Sequence, residues 1–374
     1  MNFDLSEEQK LVQESIERFV KDTYSLETRQ KLAAGKSGFG EANWATMAEL
    51  GWLALPFAET DGGFGGNQID TMVIMEQFGK GLVLEPYLAS IVMGGGALKQ
   101  GSAALKAEFL PGVIDGTRQL ALAYAEAQAR FDLDDVVTSA RRDGDYYVLN
   151  GQKSMVLNGG TAHQLVVSAR TSGGQTDRTG ISLFLVDADA AGLTRDSFPT
   201  VDGLRAAEVV LKDVRVPASR LIGNADQGFP ILNAVANNAI LALCAEAVGA
   251  MEVLYKDTVA YTQERVQFDH PLADFQVLQH RMVDMFMEYE QCKSLLYRAT
   301  LETAQGTSTT AQRTIHALKH LVGRSGIFIG ESAVQLHGGM GMTEELRVGH
   351  YFKRMLVIDS QFGNTDYHLQ RFAA

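Results

Sequence analysis

The spacing of apolar positions changes twice along the chain. It begins helical: Ser6 followed three residues later by Gln9 has the form of a capping box, and Leu5 and Phe3 are placed to staple the first turn. Helical signals run to about residue 118, with glycine-rich breaks at residues 34–38 and 61–66. From about Gln119 to Gly223 the period is two. Arg118–Tyr124, Tyr146–Leu149, Gln164–Ser168 and Ile181–Val186 read as strands, and Asn150–Gly151 reads as a two-residue hairpin turn. Past Pro230 the helical period returns, with Ile240, Leu243, Cys244, Ala247, Val248, Met251, Leu254 and Tyr255 on one face. Helices continue to the end, interrupted at residues 305–307 and 336–342, with Glu344–Glu345 read as a solvated helix start after Thr343. The expectation is an α+β multidomain fold: a helical domain over 1–118, a central antiparallel β domain over 119–225 and a helical bundle over 226–374.

Composition narrows the class. A chain of 374 residues, 46% hydrophobic and 21% charged, has room for two or three domains and is neither disordered nor membrane-like in composition. No continuous apolar run reaches the ~20 residues of a spanning helix. The acidic N-terminal stretch lacks the basic flank and apolar centre of a signal peptide, so a cytoplasmic location is expected. Cys244 and Cys292 both sit in apolar helical segments, as reduced packing residues would. The net charge of −12 argues against nucleic acid and anionic membranes as partners. His316 and His320 share a helix face at i, i+4 but have no third ligand nearby, so no metal site is expected.

Two stretches carry the candidate chemistry. Residues 265–276 read RVQFDHPLADFQ and residues 335–342 read QLHGGMGM. An arginine offers a two-pronged fork to phosphate oxygens, and paired glycines let backbone N–H groups approach them closely. With YYVLNGQK and NGG in the β region and the glycine-rich segment from Gly51 to Gly66, they make the whole chain resemble the acyl-CoA dehydrogenase family. ALCAEAVGAM (242–251) and GNTDYHLQR (363–371) bring it nearer the branch that includes the small subunit of pimeloyl-CoA dehydrogenase and the noncatalytic-type subunits of heteromeric steroid side-chain dehydrogenases. The resemblance implies that Arg265, Phe268, Leu272 and Gln276 reach a neighbouring subunit's FAD, and that Gln335, Gly338 and Gly339 close over the same dinucleotide tail. The family's glycine after the phenylalanine is Asp269 here.

The same resemblance marks what is missing. The family's flavin-facing tryptophan and threonine fall at Met155 and Leu157, and of its threonine-glutamate-proline loop only Glu126 remains. Its two positions for a catalytic base align with Gly363 and Ala239, and an adjacent arginine aligns with Ile240. Glu246, seven residues past Ala239, is shifted ~10 Å along the helix axis, too far for the same chemistry. It lies on a small-residue face of Ala242, Ala245 and Gly249 that something else can approach closely, so it reads as a carboxylate satisfied across an interface. Asp366 is the second replacement candidate.

The resemblance therefore implies one subunit of a heteromeric, FAD-dependent dehydrogenase that desaturates an acyl-CoA. A paralogous partner would supply the base, in an α2β2 assembly, and an electron-transferring flavoprotein would take the electrons. The alternatives are a self-sufficient homotetramer with a base relocated to Glu246 or Asp366, and a non-enzymatic interaction protein on the same fold.

Overall fold

The computed structural model describes residues 4–306 and 308–374; Phe3 of the expected staple and Thr307 of the expected break lie outside the described residues. Helices come first: α1 (Glu7–Thr23), α2 (Leu26–Ala34), α3 (Glu41–Glu49), α4 (Gln68–Gly81), α5 (Gly96–Leu98), which continues a π-helical stretch at Leu88–Gly95, and α6 (Ala103–Ile114). The strands are β1 (Leu120–Ala123), β2 (Ser139–Asp143), β3 (Tyr146–Leu157), β4 (Gln164–Arg170), β5 (Ile181–Asp187), β6 (Leu193–Pro199), β7 (Arg205–Pro217) and β8 (Leu221–Ile222). Next come α7 (Gly228–Glu264), the hairpin β9 (Val266–Gln267) and β10 (His270–Pro271), α8 (Gln276–Ala304), α9 (Thr309–His337), α10 (Arg347–Ser360) and α11 (Thr365–Ala373). The order is helical, β, helical, an α+β multidomain architecture.

By internal contacts the chain forms two compact units. One comprises Met1–Lys31, Asn67–Val83 and Ile240–Ala374; the other comprises Leu32–Gly66 and Leu84–Ala239. In the first, α9 packs against α8, α10 and α11, and α4 packs against α1 and α8. The α1 start is the expected capping box: Gln9 N donates to Ser6 Oγ at 3.2 Å and Ser6 N donates to Gln9 Oε1 at 3.0 Å. Helices α4 and α7 meet backbone to backbone. A Cβ on Gly79 would overlap the Glu246 carbonyl, and one on Gly249 would overlap the Glu76 carbonyl. The small-residue face around Glu246 is therefore filled by α4 of the same chain, which corrects the expectation of an intersubunit contact there. Helix α7 is the one helix among the described residues long and apolar enough to cross a membrane, but 72% of its most apolar window is buried in the fold, as in an interior helix.

The second unit is built on one sheet in the order β6-β7-β3-β2-β4-β5-β8, with β1 also paired to β4. It is antiparallel except that β1 and a single β2 residue pair parallel to β4. Strands β4 and β5 are buried at six successive positions, mostly apolar, with Gln164, Ser168 and Ser182 among them. Leu165, Val167, Phe184, Val186, Val209 and Leu211 contribute to the core they share with β3 and β7.

Two sequence expectations fail locally. Asn150–Gly151 is not a turn: β3 runs straight through it, and the register against β7 slips between Leu149 and Gly151. Asn150 is instead anchored to Asp213, donating from Nδ2 to Oδ1 at 3.0 Å and accepting from Asp213 N at 2.8 Å. The real β2–β3 turn is at Gly144–Asp145, where Gly144 has φ +62. Glu344–Glu345 also does not start a helix. Both lie in a turn before α10, which begins at Arg347, and Glu344 is drawn away by Lys353 at 2.5 Å and His350 at 3.3 Å.

Candidate cofactor and catalytic sites

Helix α7 delivers the first candidate site. Its end is fastened by Arg265 N donating to Tyr261 O at 2.8 Å, and Leu272 N returns to Arg265 O at 2.8 Å. Between these bonds β9 and β10 pair through Gln267 and His270, leaving a two-residue turn of Phe268 (φ +58) and Asp269 (φ +64). Both turn residues are left-handed, the geometry of a tight hairpin. Asp269 thus stands where glycine would be least strained, and its short polar side chain tolerates that region better than most.

The hairpin and the end of α9 frame a groove of about 570 Å³, lined by Arg265, Leu272, Gln335, Gly338 and Gly339 together with Tyr261, Leu278, Arg281 and His337. Five of the seven predicted tail residues are brought together. Phe268 and Gln276 do not line the groove. Phe268 is 84% exposed at the hairpin tip, edge-on to Phe275 at 6.2 Å, and Gln276 is the first residue of α8. A Cβ on Gly338 or Gly339 would meet nothing within 4 Å, so any side chain there would project into open space. Gly338 also needs its freedom, because α9 ends there at φ +61.

The groove thus carries a guanidinium at Arg265, a second at Arg281 and open glycine backbone, a donor set chemically suited to an anionic phosphate ligand. The sequence reading missed Tyr261, Arg281 and His337. Tyr261 stacks on His337 with ring centroids 4.3 Å apart. Only the i, i+4 spacing of Tyr261 to Arg265 and the i, i+3 spacing of Leu278 to Arg281 hinted at them.

The positions corresponding to the flavin ring lie on β3. A second register shift, between Lys153 and Val156, puts Met155 at φ +53 and half exposed, with its N–H donating to Glu208 Oε1 at 3.3 Å. Leu157 is half-buried. Neither Met155 nor Leu157 offers a side-chain hydrogen-bond donor. Glu126 is committed to the sheet instead. Its carboxylate accepts from Lys153 Nζ at 2.6 Å, Val137 N at 2.9 Å, Thr138 N at 3.1 Å and Gln128 Nε2 at 2.9 Å. Burial pushes the Glu126 carboxyl up, but Lys153 and the hydrogen bonds outweigh it and hold the group ionised.

Of the positions considered for a base, Gly363 and Ala239 carry no carboxylate, Glu246 is paired, and only Asp366 has an unpaired carboxylate, which is exposed. Gly363 has φ +112, and a Cβ there would collide with the Tyr367 ring and lie 2.8 Å from His368 Nε2. The corner around it is closed by its own hydrogen bonds. The buried Lys319 donates from Nζ to Asp359 O and Gly363 O, both at 2.9 Å, and Asp359 Oδ1 accepts from Thr365 N at 3.0 Å. His368 Nε2 meets Phe362 O at 3.0 Å, so that nitrogen carries the proton and Nδ1 accepts from His316 Nδ1 at 2.9 Å. Burial, with Lys319 and His316 adding to it, pushes the His368 imidazole down to about 3.

Ala239 and Ile240 are buried along α7. Glu246 is gripped on both oxygens by Arg354, at 2.6 Å from Nε and 2.7 Å from Nη2. Its partner is in the same chain, again not across an interface. Asp366 is exposed in the first turn of α11, a favourable place for a carboxylate at a helix start. His316 and His320 turn to His368 and to Thr365 O, and no cluster of three ligand-type residues occurs among the described residues.

Models of the acyl-CoA dehydrogenase N-terminal, middle and C-terminal domains match residues 6–117, 121–214 and 226–374. The chain belongs to the acyl-CoA dehydrogenase family. A Bacillus subtilis relative named "Probable acyl-CoA dehydrogenase YngJ" is 30% identical over 354 residues, covering 93% of this chain and 92% of that one. Among solved structures, the FAD complex of PigA is 27% identical with a TM-score of 0.92, covering 100% of this chain and 98% of that one. The Tcur3481-Tcur3483 steroid ACAD is 27% identical with a TM-score of 0.88, covering 98% and 97%.

Proposed function

We propose that this chain is the subunit of an FAD-dependent acyl-CoA dehydrogenase that holds the dinucleotide tail, while a paralogous partner supplies the ring contacts and the base. The observation that carries this reading is a contrast within one bundle. The groove at Arg265 leaves guanidinium and glycine backbone open to a ligand, whereas the corner at Gly363 has no room for a carboxylate. In this reading, 1–118, 119–225 and 226–374 are the three domains of a cytoplasmic subunit. The naming of two chains in the steroid ACAD structure supports a heteromeric assembly of the α2β2 type.

FAD, when bound, takes the hydride equivalent leaving Cβ of the acyl thioester, while a carboxylate takes the α-proton. In this chain Arg265 neutralises and orients the pyrophosphate, and Gln335 with Gly338–Gly339 closes over it. Phe268, uncovered at the hairpin tip, presents an apolar face to a neighbouring subunit. The partner's carboxylate removes the proton, and an electron-transferring flavoprotein accepts the electrons afterwards.

The test is flavin stoichiometry, with the chain purified alone and after co-expression with a paralogous chain. Expected are little flavin alone and one FAD for every two polypeptides in the hetero-complex, the ratio two half-sites require. One FAD per chain in a homo-oligomer that turns over acyl-CoA would overturn the proposal in favour of a self-sufficient enzyme.

A further inference from the structure

The tail groove contains a second cation that the family resemblance did not supply. Arg281 sits on α8 one turn beyond Leu278, and both line the groove with Arg265. The other arginines of α8 to α11 are committed. Arg298 pairs with Glu302, Arg324 with Glu288, Arg347 with Asp257 and Arg354 with Glu246. Arg313 and Arg371 rest on the rings of Phe372 and Tyr367. Among the described residues, the guanidinium groups of Arg265 and Arg281 have neither a hydrogen bond nor an ion pair. Both are exposed and line the same groove, so an anionic ligand with two separate charges would meet a guanidinium at each.

We infer that Arg265 and Arg281 each hold one phosphoryl group of the diphosphate, making the groove selective for adenosine diphosphates over monophosphates. A dinucleotide pyrophosphate carries one negative charge on each phosphorus, and a guanidinium fork satisfies the oxygens of one phosphoryl group at a time. A single arginine would leave the second phosphate to the Gln335 amide and backbone N–H groups, with no second positive charge. The inference rests on the reading of the groove as the dinucleotide-tail site, and it adds the residue that makes the charges match.

The experiment is calorimetric titration of the flavin-depleted protein, in its purified assembly, with ADP and with AMP, for wild type, Arg265→Gln and Arg281→Gln. Both arginines are exposed, so neither change should move the melting temperature, and that is checked in the same samples. Each variant should bind ADP roughly tenfold to a hundredfold more weakly, the range for one charge-assisted bond, and the preference for ADP over AMP should collapse in each. Arg281→Lys, which keeps the charge and loses the fork, should recover part of the affinity. If Arg265→Gln weakens ADP and Arg281→Gln does not, the inference fails and the tail reading stands. Equal losses for ADP and AMP in Arg281→Gln would also overturn the one-phosphate-each assignment. If ADP binds wild type and both variants alike, the tail reading itself falls.

Discussion

The groove at Arg265 and the corner at Gly363 lie at different points along α9 in one compact unit, and they treat polar groups in opposite ways. At the corner, Lys319, Asp359, His316 and His368 are each matched to a carbonyl, an N–H or one another, and the space beside Gly363 is filled by Tyr367 and His368. At the groove, two guanidinium groups and two glycines face open volume. Exposed, uncommitted groups are hydrated and cost the fold nothing to remove, whereas buried, self-satisfied ones are costly to disturb. The comparison therefore separates residues whose loss should be read in stability from those whose loss should be read in binding.

The largest effect should come from breaking a committed pair. Arg354→Ala leaves the Glu246 carboxylate buried without its partner, which should destabilise the fold by about 3–5 kcal/mol in chemical denaturation. Glu246→Gln keeps the shape and removes the charge; turnover of the assembled complex should stay within a few fold. A turnover collapse of ~10²-fold or more at full flavin occupancy would make Glu246 the base after all.

Gly363→Glu restores the family's carboxylate in a corner that cannot hold it. Leaving the left-handed region and forcing Tyr367 aside should cost about 2–5 kcal/mol, read as a lower melting temperature with no gain in dehydrogenase rate. An unchanged melting temperature would show that the corner is open.

The corner should also carry an acid-sensitive component. His368 is held neutral down to about pH 3, whereas in the unfolded chain it titrates near 6.5. Below 6.5 the unfolded chain therefore binds a proton that the folded one refuses. This contribution is complete above 6.5 and is lost progressively as pH falls toward 3. His368→Leu should flatten the stability curve between those values, whatever it does to stability at neutral pH; an equally steep acid limb would remove His368 as the cause.

On the groove side, Arg265→Ala should leave the melting temperature unchanged while flavin affinity drops by about 1.5–3 kcal/mol. Loss of both together would place Arg265 among the structural residues and dissolve the distinction. The smallest effect belongs to Asp269→Gly, which relaxes a left-handed turn position and should stabilise the hairpin by at most about 1 kcal/mol. A destabilised Asp269→Gly protein would show that the aspartate makes a compensating contact.

What was legible in the sequence follows from how local the signal is. The capping box at Ser6 and Gln9 is a four-residue device, and it forms as expected. Strands β4 and β5 were visible because each is a short segment rich in β-branched and other apolar residues. Asn150–Gly151 misled because the dipeptide that favours a tight turn also suits a bulge. What selects the bulge is Asp213 on β7, 63 residues away. Arg265 and Gly338–Gly339, which share one groove, could be singled out because their chemistry is in the residue type. Arg281 was not, since an exposed arginine on a helix resembles any solvated one until its neighbours are known to lack a carboxylate. The partner of Glu246 lies 108 residues away, and nothing local announces it.

The crossing of α4 and α7, where Gly79 meets the Glu246 backbone and Gly249 the Glu76 backbone, has a consequence for how substitutions in this chain will be interpreted. From that weld α7 continues for roughly 24 Å, at ~1.5 Å per residue, before it presents Arg265. The crossing acts as a fulcrum and the remaining helix as a lever arm, so the displacement that a side chain at the crossing forces is magnified at the tip. An alanine at Gly249 adds one methyl group and no chemistry, yet it should displace Arg265 along the groove it lines. In a mutational scan scored by flavin retention, Gly249 will look like a cofactor ligand although it touches none.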